Sequence, residues 1–243
     1  MTGPDPSPED PAPAFADDDG TADATLAQAL IRHAAGRAPL TEVVEALACA
    51  RVLVPVVASG NFRSVSEGAP DPDAVASTGV IALHMPDGRA ALPIFTDADA
   101  MRAWRPEARP VPAEARGAAM AAVSAGWSTL ILNPAMESTV IPRPAVWALA
   151  QGEPWRPAVV GGVVDAEVAS AIRAAVAVAP EVTSAEVGPG RVAEIGVVLG
   201  LAPGLGRDEL EGVIARVRAA IGTSEVAAER VDGVEIVVRA ADA

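Results

Sequence analysis

Val182-Thr183-Ser184-Ala185-Glu186-Val187-Gly188-Pro189-Gly190-Arg191-Val192-Ala193-Glu194-Ile195-Gly196-Val197-Val198-Leu199-Gly200-Leu201 reads as two strands and a turn. Val182 to Val187 suits a strand, and Gly188-Pro189-Gly190 breaks the run. From Val192 onward, Ala193, Ile195, Val197, Leu199 and Leu201 alternate onto one face, the period of a strand with one side in a core. Upstream, Ala158 to Val164 is an apolar run that reads as a strand. Asp165 then caps a helix carrying Val168, Ile172, Val176 and Ala179 on one face. Downstream, Arg207 to Ile221 is a helix with Leu210, Val213, Ile214, Val217 and Ile221 on its stripe. Its early acids (Asp208, Glu209, Glu211) and late cations (Arg216, Arg218) complement the helix dipole. Val226 to Val231 and Val234 to Arg239 read as a strand pair around Asp232-Gly233, a two-residue hairpin signal. The order β-α-β-β-α-β, with one further strand, predicts a ferredoxin-like domain over residues 158–243.

Residues 151–157, Gln-Gly-Glu-Pro-Trp-Arg-Pro, break both helical and strand periodicity and read as a linker. Residues 24–150 before it read as a mixed α/β sheet domain. Leu26, Ala27, Leu30, Ile31 and Ala34 recur at helical spacing until Gly36. Thr41 caps a second helix with Val43, Val44 and Leu47. Val52 to Val57 is a continuous apolar run, a strand buried on both faces, with Pro55 near an edge or bulge. Residues 59–78 read as a loop. Gly79–His84 and Ala90–Phe95 form a hairpin about Pro86-Asp87-Gly88-Arg89. Thr96 with Asp99 three residues on begins a helix through Trp104. Ala113–Ser124 is a helix, Thr129–Leu132 and Thr139–Ile141 are strands, and Pro144 opens a helix ending near Gly152. Residues 1–23 are acidic and Pro-rich and are expected to be a disordered tail. The fold class expected is therefore α+β with two domains.

Composition narrows the chemistry. The 243 residues are 51% hydrophobic, enough for a sizeable core. All 18 cations are Arg, which excludes a Schiff-base or phosphate-loop lysine. Tyr is absent, and a single Cys excludes internal disulfides and multi-cysteine zinc sites. The net charge is −14, and residues 1–24 carry Asp5, Glu9, Asp10, Asp17, Asp18, Asp19 and Asp23 with no cation. Nucleic acid is a poor partner for such a chain. Gly117–Met136 is uncharged, but its Gly, Ser, Thr and Pro content reads as a helix, a stop and a buried strand rather than a membrane span. The N-terminus lacks an apolar signal segment, and a cytoplasmic location is expected.

Few side chains offer catalysis. Cys49 shares a helical face with Glu42 and Glu45 and is expected to be a poor nucleophile. His33 and His84 lie on different elements, and no HxH or HxxxH spacing suggests a metal. No cofactor is expected. Gly161-Gly162 and Gly204-Leu205-Gly206 precede helices and are candidate ligand loops, although Asp165, Asp208 and Glu209 would repel phosphate. Trp104 and Trp147 are expected to anchor cores. Trp155, in the linker, is expected to dock one domain on the other, whereas an exposed tryptophan would mark a binding hot spot.

Three blocks carry a family resemblance: Val52-Leu53-Val54-Pro55-Val56, then Leu92-Pro93-Ile94-Phe95-Thr96 leading to Trp104, then Leu130-Ile131-Leu132-Asn133-Pro134. Their order and spacing resemble the SseB N-terminal domain family, in particular its actinobacterial members, over residues 24–150. Residues 155–243 look like the C-terminal domain that often accompanies it. The resemblance transfers no catalytic residues. Asn133-Pro134 reads locally as a clean strand end. The expected function is non-enzymatic, a regulatory or protein-interaction role with an unidentified protein partner. A small-molecule (amino-acid) sensor is the alternative, and a carboxylate-dependent hydrolase, which needs two acids in contrasting environments, is the third.

Overall fold

A computed structural model describes residues 15, 18–56, 73–75, 79–86 and 88–240. The chain divides into two compact units, Met1–Ile141 and Pro142–Ala243. Of the acidic tail, Asp18 pairs with Arg51 at 2.9 Å and Asp23 caps the first helix through the Leu26 N–H. Most of the tail lies outside the described residues.

In the first unit, α1 (Ala24–Ala34) and α2 (Leu40–Ala48) lead to β1 (Arg51–Val56), β2 (Asp73–Val75), β3 (Ile81–His84) and β4 (Ala90–Ile94). Then come α3 (Ala98–Trp104), β5 (Arg109–Glu114), α4 (Ala115–Ser124), β6 (Thr129–Leu132) and β7 (Thr139–Ile141). Five strands form one sheet in the order β2-β3-β4-β6-β7. Only β4 and β6 are parallel, because α3, β5 and α4 cross over between them. Every residue of β6 is buried, as a central parallel strand requires. The β3–β4 turn closes with Gly88 N–H on Met85 O, and Gly88 takes the positive φ (84°) that glycine tolerates. Asp87 lies outside the described residues.

Two strands were not legible. β5, Arg-Pro-Val-Pro-Ala-Glu, holds two prolines that argue against a strand, yet among the described residues it pairs only with β1, at an edge where prolines are tolerated; Pro110 stands opposite Pro55. β2 lies within the span read as loop. Two caps shift. Asp97, not Thr96, caps α3 through the Ala100 N–H, and α2 begins before Thr41, at Leu40.

The second unit opens with α5 (Arg143–Gln151), the helix read as ending the first domain. Its Arg143 guanidinium donates to Ala228 O (2.6 Å) and to Val231 O. There follow β8 (Val159–Val160), β9 (Val163–Val164), α6 (Ala166–Val176), β10 (Val182–Pro189), β11 (Ile195–Leu201), α7 (Arg207–Thr223), α8 (Glu225–Arg230) and β12 (Val234–Ala240). The sheet order is β10-β11-β12, with β10/β11 antiparallel and β11/β12 parallel. Val168, Ile172 and Val176 of α6 and Val213, Val217 and Ile221 of α7 bury against Ile195, Val197, Leu199 and Leu201.

This sheet departs from the ferredoxin-like expectation in two places. Ala158–Val164 is not one strand: Gly161 (φ 58°) and Gly162 (φ 76°) fold it into a two-residue hairpin outside the main sheet. Val226–Val231 is not a strand. Its Ala-Ala-Glu-Arg centre favours a helix, α8, and Asp232-Gly233 only links α8 to β12. No helix among the described residues is long and apolar enough to cross a membrane.

Candidate interaction surfaces

Trp147 lies on α5 and was expected in the core, but it is 45% exposed. The buried residues of α5 are Pro144, Ala145, Val146 and Leu149, so its 3.6-residue period leaves position 147 outward. Gly152 ends the helix in the left-handed conformation (φ 75°) and turns the chain back along it. Trp147 and Trp155 thereby line one hollow of about 170 Å³ with Arg156 and Arg230. The indole N–H of Trp155 is buried and has no acceptor among the described residues.

Arg230 makes this hollow rigid. It is 7% exposed. Its Nε donates to Arg156 O (3.3 Å), and its Nη2 donates to Pro157 O (3.1 Å). Its Nη1 reaches Asp165 Oδ1 (3.0 Å) and Glu167 Oε2 (3.1 Å). The segment read as a linker is thus pinned by a side chain 73 residues further on. The Arg230 hydrogen bond, followed by the Val168 N–H at the start of α6, holds the Asp165 carboxyl below the usual carboxylate range.

A second feature is a cleft of about 430 Å³ beside β12, lined by Ile221, Ala227, Val231, Val234 and Ile236 with Arg143, Arg218 and Asp232. Asp232 accepts the Arg143 backbone N–H at 3.2 Å, and the Asp232 N–H donates to Glu194 Oε2 at 2.8 Å. Burial first, then the neighbouring Asp232 carboxylate, push the Glu194 carboxyl above the usual carboxylate range, against the pull of that N–H. A carboxyl raised by folding opposes the native state only once ionised. Its cost is absent below the ordinary carboxylate pKa and complete above the raised one. Glu194→Gln therefore melts higher than the parent chain near neutral pH, and the gap closes as the medium is acidified. Melting curves across pH check this; a gap that does not depend on pH refutes it.

The glycines singled out by sequence have conformational work. Gly161 and Gly162 make the β8–β9 turn. Gly204 has φ 91°, and the Gly206 N–H is taken by Glu209 Oε2 at 2.8 Å. Neither lining of the two cavities above includes any of the four. Among the described residues, no three His, Cys, Asp or Glu side chains come together to hold a metal ion. His33 Nδ1 is bonded to Ala38 O (2.9 Å), and Cys49 is exposed.

In the first unit the sequence blocks converge at the carboxyl ends of β4 and β6. Asn133 follows β6 with φ 53°, the one non-glycine residue with positive φ among those described. Its N–H donates to Ile94 O (2.9 Å), its Oδ1 accepts the Thr96 N–H (3.1 Å) and its Nδ2 donates to Thr96 Oγ1 (3.0 Å). Thr96, 4% exposed, donates a hydrogen bond from its hydroxyl to Asp97 Oδ2 (2.7 Å), and Thr96 O accepts from Arg51 Nη1 (2.9 Å). Leu53 and Phe95 exchange two backbone hydrogen bonds. The three blocks are thus one knot. A family model, the SseB protein N-terminal domain, matches residues 26–148. The chain belongs to the SseB family.

No curated protein and no solved structure significantly matches this SseB-family chain. The match covers the knot and reaches into α5. Asn133 tolerates the left-handed region better than any other side-chain-bearing residue except Asp, and its amide ties two parallel strand ends. Asn133→Gly keeps the backbone and loses the amide bonds, costing about 1 kcal/mol. Asn133→Ala also strains the backbone and costs about 2 kcal/mol. Urea unfolding separates the two; equal losses would show that φ carries no weight.

Proposed function

We propose that this SseB-family chain is a non-enzymatic protein-interaction protein, and that its second unit receives a partner at the Trp147 hollow. The exposure of Trp147 carries this reading. Large aromatics and Arg dominate binding energy at interfaces, and a rigid site loses little entropy on binding. Arg230 supplies the rigidity, and the Arg156 guanidinium lies at the hollow's wall, paired with Glu167 at 3.1 Å. Three polar side chains are bound up in structure: Thr96 and Asn133 in the strand knot, Glu194 beneath Asp232. A cytoplasmic setting is supported by the exposed, unpaired Cys49 thiol.

Affinity capture from the native cell, with the whole chain as bait, tests the proposal. A stoichiometric partner retained by the parent chain is lost with Trp147→Ala and kept with Val178→Ala, a control at a still more exposed apolar residue outside the hollow. A partner that binds all three baits alike, or turnover of a metabolite by the purified chain, overturns it.

A further inference from the structure

Strand β12 has an unpaired side. β11 runs along its whole length, from the pair Ile195–Val234 to Leu201–Ala240, and no other strand pairs with it among the described residues. Such an edge offers a row of backbone donors and acceptors, and natural sheets guard edges with bulges, prolines or charges. The opposite edge is guarded in this way: β10 has a register shift between Val182 and Ser184 and ends at Pro189. β12, Val-Glu-Ile-Val-Val-Arg-Ala, has neither a register shift nor a proline, its two charges are of opposite sign, and the cleft lies alongside it.

We propose that β12 pairs antiparallel with β12 of a second copy, about a twofold axis through Val237, so that the two three-stranded sheets become one. The strand is self-complementary in this register. Val237 meets Val237, Ile236 meets Val238, and Glu235 meets Arg239 twice. A register centred on Ile236 or Val238 loses both charge pairs. A one-residue slip sets core-facing residues against outward-facing ones. Val234, Ile236 and Val238 face the core of the unit, so the Ile236–Val238 contacts fall on the side of the cleft walled by Ile221, Ala227 and Val231. Glu235, Val237 and Arg239 alternate onto the other side. There Val237 is 43% exposed, and Arg239 is exposed with no ion-pair partner among the described residues. Glu235 Oε1 is held by the N–H groups of Arg191 and Val192, which leaves its other oxygen for the second copy's Arg239.

Size-exclusion chromatography with light scattering on the full chain, at micromolar concentration, tests this. The parent chain has twice the 24.5 kDa chain mass. Val237→Lys and Val237→Glu each set like charges face to face and fall to the single-chain mass, with circular dichroism unchanged. An equimolar mixture of the two recovers the double mass, because Lys then meets Glu. A monomeric parent chain overturns the proposal, including one that takes another protein's strand at β12. A double mass persisting in Val237→Lys, or a mixture that stays monomeric, also overturns it.

Discussion

Phe95→Ala destabilises the first unit by about 3–5 kcal/mol, the range for emptying a fully buried aromatic site. Phe95 is 0% exposed and stands where β4 meets β1. Its ring lies 5.3 Å from the Trp104 ring, tilted by 39°, and packs among Leu53, Ala100, Met101 and Ala108. Small alanines on stiff elements cannot move in to fill the void, which places the loss toward the upper end. Trp104 in turn carries the Arg105 guanidinium 5.0 Å above its ring, so the cavity also loosens a cation–π contact. Phe95→Leu, which keeps most of the volume, costs less than half as much. Urea unfolding followed by circular dichroism measures both. A loss for Phe95→Ala of under about 1 kcal/mol would mean that the site collapses freely and that this core is not close-packed.

Arg230→Met is the second large effect, a loss of about 2–4 kcal/mol in the second unit. Methionine keeps the apolar stem but abandons four acceptors: Arg156 O, Pro157 O, Asp165 and Glu167. The side chains of Asp165 and Glu167 are 33% and 55% exposed, so water replaces part of what is lost there. The two carbonyls recover less. Arg230→Lys rescues little, because one ammonium cannot span acceptors arranged for a planar fork. The effect has a pH signature. Asp165 is held low in the folded chain, so its contribution is complete above the ordinary carboxylate pKa and fades as pH falls through the lowered value. The difference between the parent chain and Arg230→Met is therefore largest near neutral pH and shrinks in strong acid. A difference that is constant across pH would remove the Asp165 pairing from the explanation. The same substitution frees the segment that carries Trp155, so partner capture at the Trp147 hollow weakens with it.

Short-range signals were sufficient wherever an element's identity depends on its own residues. Asp165 caps a helix as its spacing requires, Gly152 ends one, and Thr129–Leu132 reads as a buried strand because all four residues suit burial on two faces. The family membership was legible for the same reason, since Leu53, Phe95 and Asn133 lie in local blocks with characteristic spacing. What a residue meets across the fold was not legible. Prolines hid β5, because a proline is harmless only if its missing N–H faces away from a neighbour, and the neighbour is set by tertiary pairing. Val226 and Val231 suggested a strand, but six residues carry too little periodicity to separate strand from helix until packing against α6 and α7 decides. Trp147 looked like a core anchor because its hydrophobicity is local information and its outward angle on α5 is not. Arg230 carried no sequence signal at all. Its function depends on four acceptors that lie 63 to 74 residues away in the chain and are brought together only by folding.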